Sequence, residues 1–257
     1  MKVIILAGGW GTRLGKLTAE IPKPMVKIGG KPILWHIMKS YSSYGYNEFI
    51  IALGVMSDVI KNYFINYEMQ NSDFTISLSN GDVEYHNSCK ENWKVTLVDT
   101  GINTLKGGRL KRISNYLNDD TNMLTYGDGL TDVNINHLVK FHKAHKKIVT
   151  MTGVYPPARF GELSEEDGKV IKFQEKPQAS TGLINGGYMV FNERLLDFLS
   201  EDENCDLEFG AIEKLTKENE VMVYKHEGNW ECMDHERDVV HLNKLWIKGS
   251  AFWKKWN

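Results

Sequence analysis

The chain has 257 residues, 42% hydrophobic and 25% charged, with a net charge of −2. That is the balance of a soluble globular protein with one substantial core, and it gives no electrostatic reason to expect nucleic acid or an anionic membrane as partner. No apolar stretch reaches the roughly 18 residues of a membrane span, and the run at residues 3–7 is too short for a signal sequence. The cysteines Cys89, Cys205 and Cys232 lack paired metal spacing, so a reduced, cytoplasmic setting is expected.

The first run, Val3-Ile4-Ile5-Leu6-Ala7, is rich in β-branched residues and stops at glycine, which predicts a buried strand. Gly8-Gly9-Trp10-Gly11-Thr12-Arg13 follows. Its glycines let the backbone turn tightly and bring N–H groups against an anion. Arg13 adds a fork-shaped permanent cation, and Lys23, held in Pro22-Lys23-Pro24, adds a second charge from a stiff loop. Other phosphate motifs fit less well. A P-loop needs Gly-Lys-Ser/Thr where this chain has Gly11-Thr12-Arg13, and the dinucleotide fingerprint needs a third glycine where Leu14 stands.

Residues 32–44 carry apolar side chains at helical spacing with Gly45 as the stop, residues 49–53 form a second apolar strand, and residues 58–67 form a helix. The order β-loop-α-β-α is that of a parallel sheet covered by helices. Residues 74–78 and 83–86 flank Asn80-Gly81, a hairpin signal. A strand at 94–99, a polar loop, a helix at 109–117 and a strand at 123–126 come next. A helix near 135–146 and a strand at 148–155 follow. Further strands are expected at 170–177, 183–191 and 221–226, with helices near 193–199, 208–217 and from about 235 to 248. The whole predicts a single α/β unit over residues 1–257, a Rossmann-like mixed, mostly parallel sheet flanked by helices, with β-rich insertions over its ligand crevice.

In an open parallel sheet, ligands bind beyond the carboxyl ends of the strands. Tyr126-Gly127-Asp128-Gly129 presents a carboxylate there, and Asp234 sits between the strand-like 230–233 and the last helix. Each has a plainer reading: Asp128 as a turn residue capping the next helix, Asp234 as an N-cap. Beside a cationic phosphate cradle, the two carboxylates form what a Mg²⁺–nucleotide site needs. His137, His142 and His145 crowd one helix without a metal pattern and read as a solvated face. Trp246, Trp253 and Trp256 read as packing or subunit contact.

The pattern Leu6-Ala7-Gly-Gly-x-Gly-Thr-Arg-Leu14 followed by Pro22-Lys23-Pro24-Met25 resembles the signature of sugar-phosphate nucleotidyltransferases. The narrower stretches KPILWHIMK (31–39), VTLVDTG (95–101), GGRLKR (107–112) and FQEKP (173–177) resemble their glucose-1-phosphate cytidylyltransferase subgroup. This resemblance implies the reaction of CTP with α-D-glucose 1-phosphate to give CDP-glucose and pyrophosphate, with Mg²⁺ and as a homo-oligomer, trimeric or hexameric. It implies that the backbone of Leu6, Ala7, Gly8, Gly9, Trp10, Gly11 and Thr12 cradles the cytidine and phosphates, and that Arg13 holds the β- and γ-phosphates. Lys23 would bridge the attacking and α-phosphates, and Asp128 and Asp234 would hold Mg²⁺. Thr104 and Arg109 match positions on the nucleotide side. Glu175, Lys176, Asn185 and Gly186 match positions facing the sugar phosphate, although the EKP stretch also reads as a polar turn and Asn185-Gly186-Gly187 as a close backbone approach.

The chain departs from the subgroup at Met56, at His235 and across residues 207–211, which leaves the phosphate and metal positions intact and directs attention to the acceptor. The alternatives are transfer from another nucleotide or to another phosphorylated acceptor, and a nucleotide-binding regulator without turnover. Retention of Arg13, Lys23, Asp128 and Asp234 favours an enzyme.

Overall fold

The apolar runs become the middle strands of one sheet. The computed structural model describes residues 1–87, 90–117, 120–156, 162–174 and 182–256. In chain order, β1 (Val3–Leu6), β2 (Lys27–Ile28), β3 (Lys31–Pro32), α1 (Ile33–Ser42), β4 (Glu48–Leu53), α2 (Ser57–Ile65) and α3 (Tyr67–Asn71) come first. The hairpin of β5 (Asp73–Ile76) and β6 (Val83–His86) precedes β7 (Lys94–Asp99), α4 (Lys106–Arg112), β8 (Thr121–Tyr126), β9 (Gly129–Thr131), α5 (Ile135–His145) and β10 (Val149–Val154). Then come β11 (Glu162–Glu166), β12 (Lys169–Gln174), β13 (Ile184–Asn192), α6 (Glu213–Lys217), β14 (Val221–His226), β15 (Trp230–Cys232) and α7 (Glu236–Ile247).

Seven strands pair in the order β14-β10-β13-β8-β1-β4-β7. β13 runs antiparallel to β8 and β10, and the other four pairings are parallel, so the mixed, mostly parallel sheet is the one expected. Alternation along the strands covers both faces. Val3, Ile5, Phe49, Ile51 and Leu53 pack with Ile33, Ile37 and Tyr41 of α1 and Leu138 of α5. Ile4, Ile50, Ala52 and Leu124 pack on the opposite face with Leu110, Leu207 and Leu215. Truncating a fully buried member such as Ile5 to Ala costs about 2–5 kcal/mol in such a core.

Some elements differ from the sequence expectation. The helix expected from residue 109 starts at Lys106 and runs through Gly107 and Gly108. Those glycines disfavour a helix locally, but a Cβ at Gly107 would lie 2.8 Å from the Cys205 carbonyl oxygen and one at Gly108 2.5 Å from that of Asp202. Close approach of the 202–206 segment decides there, not propensity. The helix expected near 208–217 opens with a π-type stretch, Leu207–Ile212, before α6, and the one near 193–199 is 3₁₀ over Glu193–Phe198. β11 was not anticipated. It pairs antiparallel with β12, which ends at Gln174, and residues 175–177 of the expected strand lie outside the described residues, as does Cys89.

The histidine face is also not solvated throughout. His137 is exposed, but His142 is buried on the sheet side of α5, with Nδ1 2.9 Å from Thr150 Oγ1, and His145 Nε2 reaches the same hydroxyl at 2.7 Å. The tryptophans do pack, as expected. Trp253 is fully buried and its Nε1 donates to His36 Nδ1 at 3.3 Å, while His36 Nε2 donates to the Ile28 carbonyl at 2.7 Å. Trp246 meets the His36 ring edge-on at 4.8 Å.

Burial lowers the pKa of both His36 and His142 to about 4. The unfolded chain takes up protons near the ordinary value of about 6.5, while these folded sites resist until about 4. Stability from these two groups is therefore complete above about pH 6.5 and lost as pH falls towards about 4. The melting temperature should fall across that window, and His142→Gln should make the fall shallower. An identical Tm–pH slope in the variant would contradict the assignment.

Candidate active site

β1 is level with its neighbours at its carboxyl end, where Leu6 lies opposite both Ala52 of β4 and Tyr126 of β8. The glycine loop therefore leaves the sheet beside the turn that carries Asp128. Gly11 takes φ +64°, and its carbonyl accepts from Thr18 Oγ1 at 3.0 Å. Among the described residues, the backbone N–H groups of Gly8, Gly9, Trp10 and Gly11 have no protein acceptor. They border a cleft of about 1170 Å³ whose lining also includes Lys23, Asp128, Asp234 and Asn185. Free N–H groups on a tight turn form an anion-binding concavity.

The two carboxylates meet because β15 pairs with β9, setting Cys232 opposite Gly129. Met233 N–H then donates to the Asp128 carbonyl at 2.9 Å, which fixes Asp234 beside Asp128. Lys23 Nζ lies between them and donates to Asp128 Oδ2 and Asp234 Oδ1, both at 2.6 Å. Arg13 Nη1 donates to Asp234 Oδ2 at 2.7 Å from a side chain that is 69% exposed. Burial works against the Lys23 charge, but the carboxylate of Asp128, with Asp234, outweighs it and holds the ammonium above its ordinary pKa. For Asp234 burial is likewise unfavourable to the charge. The hydrogen bond and charge of Lys23, aided by Arg13, more than offset it and keep the carboxyl below the usual range.

Neither aspartate caps a helix. α5 is capped by Asn134, whose Oδ1 accepts from His137 N–H at 3.0 Å. At α7, Asp238 accepts from the N–H groups of His235 and Asp234 at 2.7 and 2.9 Å, so the Asp234 carboxylate pairs with Lys23 and Arg13 in the cleft instead of capping the helix. Ligand atoms of Asp128, Asp234 and Cys232 lie within 4.8 Å of one another. Two carboxylates lining this cleft suit a divalent metal that takes its other ligands from phosphate and water.

Arg109 lines the cleft, yet its guanidinium is bound to protein. It donates to the carbonyls of Leu53, Gly101, Gly8 and Ile102 at 2.7–3.0 Å and to Thr100 Oγ1 at 2.7 Å. It thus ties the glycine loop to the loop after β7. Thr104 is buried beside it, and its hydroxyl accepts from Arg112 Nη1 at 2.8 Å.

Across the cleft, Asn185 Nδ2 donates to Tyr126 Oη at 3.1 Å, and the Gly186 carbonyl accepts from Trp230 Nε1 at 2.8 Å. Glu175 and Lys176 lie outside the described residues. Of the departures, His235 lines the cleft, whereas Leu207 and Ala211 are core residues and Met56 is a left-handed residue (φ 53°) at the start of α2. Lys106, next to the GGRLKR stretch, forms an ion pair with Glu208, which lies within the departure at 207–211; neither was read as a site residue from the sequence.

Residues 2–247 match the Nucleotidyl transferase family, and the chain belongs to that family. It is similar to the glucose-1-phosphate cytidylyltransferase of Salmonella typhi, 48% identical over 257 residues that cover 100% of both chains. It is equally similar to the enzyme of that name from Salmonella typhimurium, at 48% identity and 100% coverage of each. The subgroup resemblance read from the motifs therefore holds over the full length. Among solved structures, HddC from Yersinia pseudotuberculosis complexed with GMP-PN matches with a TM-score of 0.64 and 23% identity, over 95% of this chain and 99% of that one. At that identity the likeness speaks for the fold alone.

The Arg109 brace depends on Gly54, where a Cβ would lie 2.5 Å from both Arg109 Nη1 and the Gly8 carbonyl oxygen, whereas Gly9 has nothing within 4 Å. Gly54→Ala should destabilise the protein by about 1–3 kcal/mol through overpacking, and Gly9→Ala should stay within about 0.5 kcal/mol of wild type. Denaturant unfolding measures both. Equal effects would contradict the brace.

Proposed function

We infer that this protein transfers a cytidylyl group from CTP to α-D-glucose 1-phosphate, forming CDP-glucose and releasing pyrophosphate. The observation that carries the reading is the Lys23 ammonium shared between Asp128 and Asp234 beside unbonded loop N–H groups, in a chain similar along its whole length to glucose-1-phosphate cytidylyltransferases.

The reaction needs no general base. The second pKa of a phosphate monoester is near 6, so the attacking oxygen is already ionised at pH 7. That oxygen forms a bond to the α-phosphorus, the bond from the α-phosphorus to the bridging oxygen breaks, and pyrophosphate leaves with the electron pair. The barrier comes from bringing two anions together and from charge on the five-coordinate phosphorus, so catalysis is positioning and charge stabilisation.

The N–H groups of residues 8–11 receive the triphosphate. Arg13, exposed and held by Asp234, turns to the β- and γ-phosphates. Lys23 lies between the attacking and α-phosphates. Incoming phosphates compete with the two carboxylates for these cations and so release carboxylate oxygens into the cleft. Asp128 and Asp234 would hold Mg²⁺, which when bound neutralises phosphate charge. Arg109 and Thr104 shape the nucleotide side, Arg109 by bracing the loop. Asn185 and Gly186 face the sugar phosphate, and the resemblance assigns Glu175 and Lys176, which lie outside the described residues, to the same substrate. The family resemblance also supports residues 1–257 acting as one catalytic unit, a trimeric or hexameric assembly and a cytoplasmic setting.

Pyrophosphate release across CTP, dTTP, UTP and GTP with a panel of hexose 1-phosphates tests the reading. The highest kcat/KM should fall on CTP with glucose 1-phosphate, and Asp128→Asn should lower kcat by at least about 10²-fold, the scale of one lost preorganised charge contact. No CDP-glucose from protein that binds CTP would overturn the acceptor, and near-normal turnover in Asp128→Asn would overturn the site.

A further inference from the structure

Behind the acceptor side of the cleft runs a series of hydrogen bonds whose direction is fixed from one end. Gly187 N–H can only donate, and it donates to Asn185 Oδ1 at 2.9 Å. The Asn185 amide nitrogen therefore faces the other way, towards Tyr126 Oη at 3.1 Å. Since that nitrogen is a donor only, Tyr126 accepts from it and gives its own proton to Glu208 Oε1. The same carboxylate oxygen accepts from Lys106 Nζ, which also lies 4.9 Å from the Tyr126 ring centre. Burial, with the Glu208 charge, keeps the Tyr126 phenol above its ordinary pKa, so it remains a donor.

Glu208 itself is set back from the cleft, which Lys106, Tyr126 and Asn185 line. It sits in the first turn of the π-type stretch Leu207–Ile212, an irregularity that is rare and frequent at functional sites. Its second oxygen, Oε2, is buried and has no partner among the described residues. A carboxylate bonded twice at one oxygen and not at the other is a costly arrangement for stability alone. The segment reaches Lys106 because Gly107 and Gly108 leave room for the backbone of residues 202–206.

We propose that Glu208 is a positioning residue for the acceptor. Through Tyr126 it fixes the Asn185 amide so that the second N–H of Asn185, which has no protein acceptor among the described residues, is held as a donor to a hydroxyl or phosphate oxygen of the sugar 1-phosphate. Lys106 completes the arrangement by neutralising Glu208. The inference rests on the proposed function for the identity of the acceptor, and it adds to that reading a residue outside the cleft that governs acceptor affinity separately from CTP.

Glu208→Gln keeps the shape but lets a donor face Tyr126, so the direction of the series is no longer dictated. Kinetics of Glu208→Gln, Tyr126→Phe and the double variant, with CTP and whichever hexose 1-phosphate the wild type uses best, test the proposal. KM for the acceptor should rise about tenfold in each single variant, the value of one hydrogen bond to a charged or fixed polar group. KM for CTP should stay within about twofold. Glu208→Gln should add nothing in the Tyr126→Phe background, because its effect passes through Tyr126.

An unchanged acceptor KM in Glu208→Gln, an equal rise in both KM values, or additive effects in the double variant would overturn it. If Glu208→Gln proves unstable, Tyr126→Phe breaks the same series by removing one oxygen, and an unchanged acceptor KM there is equally contrary. Failure of the wild type to use glucose 1-phosphate would contradict the proposed function instead, and the comparison of variants with the preferred acceptor would still decide the role of Glu208.

Discussion

One ammonium shared by two carboxylates organises the active cleft. Asp128 and Asp234 come from opposite halves of the chain, and without Lys23 their charges would repel at close range. Lys23 Nζ sits 2.6 Å from an oxygen of each, with only 13% of its side chain exposed. Partly buried charges persist only when paired, because each has given up water. The contact therefore works in both directions: it holds three elements together in the free protein, and it stores the same charges that a triphosphate needs.

The fold supplies this contact through strand ends. Parallel pairing of β1 with β4 and β8 brings the glycine loop level with the Asp128 turn, and the short β9–β15 ladder delivers Asp234 to the same place. Arg109 then ties the loop, through the Gly8 carbonyl, to the end of β4 at Leu53. The cleft wall at the loop is consequently braced backbone, while Arg13 is an exposed side chain held by Asp234. That division suits a reaction in which the anions arrive and leave but the donors must already be aimed.

Much of this was legible in the sequence. The β1 strand is a continuous apolar run because both of its faces are covered, and the glycines, Arg13 and Lys23 are neighbours along the chain, so their spacing could be read directly. The meeting of Asp128 with Asp234 depends on a ladder of three residues a side, too short to leave a pattern, so only their place at strand ends and the family resemblance linked them. Arg109 was recognisable as a site residue, but no sequence states whether a guanidinium spends its donors on ligand or on backbone carbonyls. The Gly107-Gly108 pair misled the helix boundary, since its reason lies in the backbone of residues 202–206 and not in its own neighbours. His142 failed for a related reason: polar spacing suggested a solvated face where packing on Thr150 buried the ring. Glu208 lay inside the departure at 207–211 that pointed to the acceptor, but no pattern singled it out within that stretch, because its π-type turn arises from packing.

Lys23 is bonded to both carboxylates of the proposed metal site, Asp128 and Asp234, so its charge should compete with a divalent cation for them. The most direct measurement is Mn²⁺ binding without nucleotide, followed by electron paramagnetic resonance, in wild type and in Lys23→Ala. Binding should be tighter in Lys23→Ala by about tenfold or more, the scale of about 1.4 kcal/mol or above for removing a competing charge. Equal or weaker Mn²⁺ binding in a folded Lys23→Ala protein would contradict it.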